Sequence, residues 1–149
     1  MSVKNNKTMK VTAVYCPDQS TEYARPLFLV PVSAGFPSPA EDYIEGNLDL
    51  NKYLIKNPAA TFFVKVAGNS MIDAGIHDGD ILIVDRSLKP ADRKIIIAVV
   101  NGQLTVRRIR VTKGRVVLVS ENRDYKPLQV EEEMDFEVWG VVMSVIHPL

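Results

Sequence analysis

One cysteine, Cys16, is all that the 149 residues contain. A lone thiol excludes an intramolecular disulfide framework and any Cys-rich zinc site. Histidine is nearly as scarce, with only His77 and His147. Net charge is missing too, since 18 Lys plus Arg face 18 Asp plus Glu. That excludes a broadly basic nucleic-acid surface, though not a local basic patch. The longest purely apolar run is six residues, 95–100, where a membrane span needs about 20. Lys4, Lys7 and Lys10 lie near the start, but polar residues follow where a secretory signal needs an apolar stretch. What remains is a chain that is 46% hydrophobic, enough to build a packed core of one domain. This composition points to a soluble cytoplasmic protein.

The charges are balanced in total but sorted in place. Residues 1–34 hold four basic and two acidic side chains. The other 115 residues hold 14 basic and 16 acidic ones, so a mildly basic tail precedes a mildly acidic body. The first 26 residues show no sustained period of 2 or 3.6. Leu27 to Pro31 is a short apolar run closed by prolines, which suits only an edge strand. Val32 to Pro39 combines small residues, a glycine and two prolines, and reads as extended and unable to form helix. Ala40 to Ile55 contains the best helix candidates, stopped by Asn57-Pro58. Beyond Pro58 strand signals dominate: 61–66, 81–84, 95–100, 104–111, 116–119, 128–130 and 136–145. Asn101-Gly102 between two of them is a strong hairpin signal. The expected fold is mainly β, a partly closed barrel or sandwich of short strands with little helix.

Few residues carry chemistry. Gly68-Asn69-Ser70-Met71 follows a strand, and the glycine lets the backbone turn sharply and present the hydroxyl. A serine is a poor nucleophile until a base takes its proton. His77 reads as an exposed turn residue, and His147 is the third residue from the end of the sequence. Position 72 is isoleucine, so the G-x-S-x-G elbow is absent and a Ser-His-Asp triad is not expected. Asp73, Asp78, Asp80 and Asp85 lie close together in sequence but do not match an EF-hand loop. Turn chemistry explains Asp78-Gly79-Asp80, so no metal and no cofactor are expected. Arg107, Arg108, Arg110, Lys113 and Arg115 form a basic run that reads either as a phosphate contact or as a solvated hairpin. Strand alternation puts Thr105, Arg107, Ile109 and Val111 on one face, and leaves open which face is inner.

Taken together, three stretches resemble the LexA/UmuD self-cleaving peptidase family of the bacterial SOS response. These are Ala34-Gly35-Phe36-Pro37-Ser38-Pro39-Ala40, Leu48-Asp49-Leu50-Asn51 and Phe63 to Asp73. The resemblance continues through Asp78 to Asp85, Leu104-Thr105-Val106 and Trp139-Gly140-Val141-Val142, and covers about residues 28–146. It implies a Ser-Lys peptidase that cuts its own tail at Ala34-Gly35, with Ser70 as nucleophile. It also implies a removable, flexible arm over 1–34 and a peptidase-fold domain over 35–149. The family's base is a lysine after the Thr-Val pair, where this chain has Arg107. Arginine stays protonated and offers no lone pair, so self-cleavage is expected to be weak or absent. Lys65 and Lys94 do not occupy the matching position.

The partners implied by the resemblance are a second copy of the chain, a RecA filament and an error-prone, UmuC-like Y-family DNA polymerase. Cleavage in the family converts a form that restrains mutagenesis into one that supports the polymerase. With Arg107 in place, the chain is expected either to restrain its partner uncleaved or to be cut in trans by an active homologue. A LexA-like repressor would need an N-terminal helix-turn-helix domain of roughly 60 residues, and direct nucleic-acid binding is not expected. A signal-peptidase-type Ser-Lys enzyme would need a membrane anchor.

Overall fold

The computed structural model describes residues 8–18, 24–28 and 44–149. They fall into two compact units, one of Met1–Pro17 with Asn57–Leu149 and one of Asp18–Lys56. In the second unit β2 (Ala24–Phe28) pairs antiparallel with β3 (Ile44–Asp49). A single short helix, α1 (Leu50–Leu54), follows, with the Asp49 carboxylate capping the Asn51 amide at 3.0 Å. Of the stretch from Ala40 to Ile55, which contains the best helix candidates, residues 44–49 form a strand instead and only Leu50–Leu54 is helical, while 40–43 lie outside the described residues. Gly46 and Asn47 are poor helix formers, and Asp49 supplies a start signal only at the far end.

The first unit is a β-barrel. Its strands are β1 (Lys10–Tyr15), β4 (Thr61–Ala67), β5 (Ile81–Asp85), β6 (Ile95–Val100), β7 (Gln103–Thr112), β8 (Arg115–Val119), β9 (Leu128–Gln129) and β10 (Phe136–Ile146). The sheet runs β1-β4-β5-β10-β6-β7-β8-β9, and the pair Lys10↔Thr105 joins β1 to β7 and closes the ring. The strands expected beyond Pro58 match to within about two residues. Asn101 (φ 49°) and Gly102 (φ 81°) both take the left-handed values that a type I′ hairpin demands. No helix among the described residues is long and apolar enough to cross a membrane.

Two apolar clusters hold the barrel. Met9, Val64, Val66, Met71, Leu82, Val84, Ile97 and Val106 belong to the larger one. Ile96, Ala98, Ile109, Leu118 and Val141 form the other. Strand β7 feeds both, Val106 into the first and Ile109 into the second, so neither of its faces is simply outer. In β10 a side chain at Gly140 would start 2.5 Å from the Val84 Cγ1, so this crossing accepts only glycine without repacking. Beside it Arg86 lies over the Trp139 ring, 4.4 Å from its centroid.

Asp85 closes β5 at 2% exposure. Burial alone would raise its pKa, but hydrogen bonds from Asn57 Nδ2 (2.6 Å), Ser87 Oγ (2.6 Å) and the Ser87 amide (2.8 Å) outweigh it. The net effect holds the carboxyl below its ordinary value of 3.8. A carboxyl with a lowered folded pKa stabilises the fold above its unfolded pKa, and this is lost as pH falls through the folded value. Urea melts of Asp85→Asn are therefore expected to show lower stability at neutral pH and a flatter decline on acidification than the unsubstituted protein. Parallel acid limbs would show that Asp85 does not contribute.

Candidate active site

The serine loop begins where β4 ends. Gly68 (φ 113°) turns the chain out of the strand, and its amide is held by the Asp78 carboxylate at 2.8 Å. Ser70 then points inward and is fully buried, with Met71 anchored in the core behind it. Its Oγ accepts the amide N–H of Met9 at 2.7 Å. The Met9 carbonyl in turn accepts the Thr105 hydroxyl (2.8 Å) and the Val106 amide (3.4 Å). Residue 9 thus bridges the serine loop and β7. Nothing in the local pattern of the first 26 residues signals this, because the contact joins groups 61 residues apart.

Arg107 lies two positions beyond Thr105 on the same strand face and is partly buried. It lines a cleft of about 470 Å³ together with Thr8, Lys10 and Thr105. Its Nη1 donates to the Ser120 hydroxyl at 2.8 Å, while its Nε is buried without a partner. Burial lowers the guanidinium pKa from its ordinary value, and Tyr125 opposes that shift. A guanidinium so placed remains a cation and a donor, unable to take a proton from Ser70. Lys65 and Lys94 are both exposed.

A loop not singled out in the sequence holds the serine loop in place. The Tyr125 hydroxyl donates to Asn69 Oδ1 at 2.6 Å, and Asn122 Nδ2 donates to the Asn69 carbonyl at 3.0 Å. Asp73 N–H bonds to the Glu121 carbonyl at 2.8 Å, and the Glu121 amide meets the Met71 sulfur at 3.4 Å. Glu121 also pairs with Arg108. Burial, then the charge of Asp124, raises the Tyr125 phenol, and Arg107 partly offsets this. The only sequence signal is the polar cluster Ser120-Glu121-Asn122 after β8.

The other candidates separate. Arg108 is paired with Glu121, and Arg110 lies 3.7 Å from Asp92, so part of the basic run is engaged in ion pairs. Asp73, Asp78, Asp80 and Asp85 do not converge: Asp78 holds Gly68, and Asp85 holds Asn57 and Ser87. Asp80 instead meets both histidines, His147 at 2.6 Å and His77 at 3.8 Å. Ala34 and Gly35 lie outside the described residues.

Ser70 thus sits buried just past the exit of β4 in a small antiparallel barrel, an arrangement that fits a serine peptidase. The chain belongs to the peptidase S24-like family, whose profile matches residues 26–143. Protein SamA of Salmonella typhimurium is 47% identical over 131 residues, which cover 88% of this chain and 89% of SamA. Protein ImpA of Escherichia coli is 45% identical over 133 residues, covering 88% and 89%. Protein MucA of Escherichia coli is 38% identical over 144 residues, covering 95% and 98%. The resemblance to the UmuD-like branch thus spans nearly the whole chain.

Proposed function

We propose that this chain is a UmuD-like SOS-response protein that regulates error-prone translesion DNA synthesis. Its fold is built for RecA-stimulated self-cleavage at Ala34-Gly35, but Arg107 keeps the tail attached. The observation that carries the reading is the pairing of a formed serine loop with a guanidinium where an amine base belongs. In the working chemistry, the base takes the Ser70 proton as Oγ attacks the Ala34 carbonyl. Gly35 then leaves as a protonated amine and water resolves the acyl-serine. Here the first proton transfer has no acceptor. The chain acts instead as a homodimeric binding module that restrains a UmuC-like Y-family polymerase. Exposed Met143, Val145 and Ile146 on β10 support an apolar contact between two copies.

The test is incubation of the purified protein with RecA filaments and, separately, at alkaline pH. It is expected to stay at full length. A fragment beginning at Gly35 would refute the uncleaved reading. Mixing with a lysine-bearing relative separates the second route. Tail removal that depends on the relative's serine alone would make the chain a substrate in trans.

A further inference from the structure

We infer that His77, Asp80 and His147 form a binding site for a divalent transition-metal ion of the zinc type. Such an ion would pin the end of β10 to the loop that follows Ser70. One ligand atom from each residue lies within 4.8 Å of the other two. His147 Nδ1 is 2.6 Å from Asp80 Oδ1, and His77 Nδ1 is 3.8 Å from Asp80 Oδ2. Zinc bonds of about 2.0–2.1 Å in tetrahedral geometry place neighbouring ligand atoms roughly 3.3 Å apart. The two separations run to different oxygens of Asp80, Oδ1 for His147 and Oδ2 for His77, and both rings are half-exposed, so they are free to turn toward one shared ion.

Four features favour an ion over a simple hydrogen bond. Asp80 is 1% exposed, so its carboxylate is held in place by the atoms packed around it. Its Oδ2 accepts the His77 amide at 2.7 Å, which orients it as groups behind metal ligands do. His77 Nδ1 is shielded from solvent and has no hydrogen-bond partner, although it faces that carboxylate. The rings also lie 4.4 Å apart, close enough to share one ion. Two imidazoles and one carboxylate suit zinc, nickel or copper, whereas calcium and magnesium prefer all-oxygen shells. The fourth position would take water.

The backbone shows what the ion would join. Ile146 pairs with Ile81 at the end of β10. The Asp80 carbonyl accepts Val66 N–H at 3.0 Å, and Ile76 N–H bonds to the Met71 carbonyl at 3.3 Å. The loop from Met71 to Asp80 would then be tied at both ends, one to Ser70 and one to the ion.

The experiment uses untagged full-length protein stripped with a chelator and titrated with zinc chloride by calorimetry. One ion per chain and a rise in Tm are expected, with no rise from magnesium. His77→Ala and His147→Ala are each expected to weaken binding about tenfold or more. Cys16→Ser is expected to leave it unchanged, and cobalt(II) is expected to give the visible bands of a tetrahedral site. Asp80→Asn is avoided because that residue is buried in the fold. No stoichiometric binding, binding that survives both histidine substitutions, or binding lost with Cys16 would each overturn the assignment.

Discussion

Arg107→Lys is expected to restore cutting at the Ala34-Gly35 bond. A lysine there would sit in the same desolvated position whose burial already lowers the arginine. Starting from about 10.4, an ammonium so buried loses part of its preference for the charged form. Neutral amine then becomes available near working pH and can take the Ser70 proton. General-base catalysis contributes roughly 10²–10⁴-fold, so cutting should move from undetectable to readily seen on a gel. Mass spectrometry should find a fragment starting at Gly35, and adding Ser70→Ala should abolish it. The rate should rise with pH through the lysine's pKa, because only the neutral form accepts a proton. Arg107→Met keeps an unbranched side chain without a base and should stay uncut. If the folded Arg107→Lys protein stays intact with RecA filaments and at alkaline pH, and does so even when Met9→Ala releases Ser70, the base assignment is wrong.

The strands that carry this site were legible because their signals are local. Ile95 to Val100, the Asn101-Gly102 turn and Leu104 to Val111 announce a hairpin without help from the rest of the chain. Ser70 was legible through the glycine before it and the strand that leads in. What local pattern misses is pairing at long range. Lys10 to Tyr15 is a short stretch with weak alternation, and it becomes a strand because the edges of β4 and β7 accept it. The faces of β7 could not be ranked because Val106 and Ile109 feed different apolar clusters. Asp80 read as a turn residue, since nothing near it in sequence predicts that His147 lies against it. The clamp from Tyr125 to Asn69 is of the same kind, a contact between loops 56 residues apart.

Shortening Met9 to alanine is expected to unlock Ser70 while lowering the stability of the fold. Ser70 has no exposed surface, and its Oγ already holds the Met9 amide. No substrate carbonyl can reach that oxygen until residue 9 leaves. The β4 edge, which could take the cleavage segment as an added strand, is likewise occupied by β1. Met9 anchors β1 by burying its side chain against Met71, Val106 and their neighbours. Removing most of that side chain costs about 2–5 kcal/mol. A loss of about 2 kcal/mol that falls on local opening raises the open fraction roughly 30-fold. Labelling measures this without any catalytic base. In a Ser70→Cys, Cys16→Ser protein the single thiol should react slowly with a neutral maleimide, and Met9→Ala should speed it by about that factor. Leu118→Ala is the control, because Leu118 is equally buried but lies in the other cluster. It should lower Tm by a similar amount and leave labelling slow. Equal acceleration by both substitutions would mean global unfolding and would sink the blocking role of β1. With Arg107→Lys added in the Ser70 background, Met9→Ala should also cut faster at Ala34-Gly35, although the protein is less stable. Gain of activity with loss of stability is the signature of a strand that must leave before the serine can work.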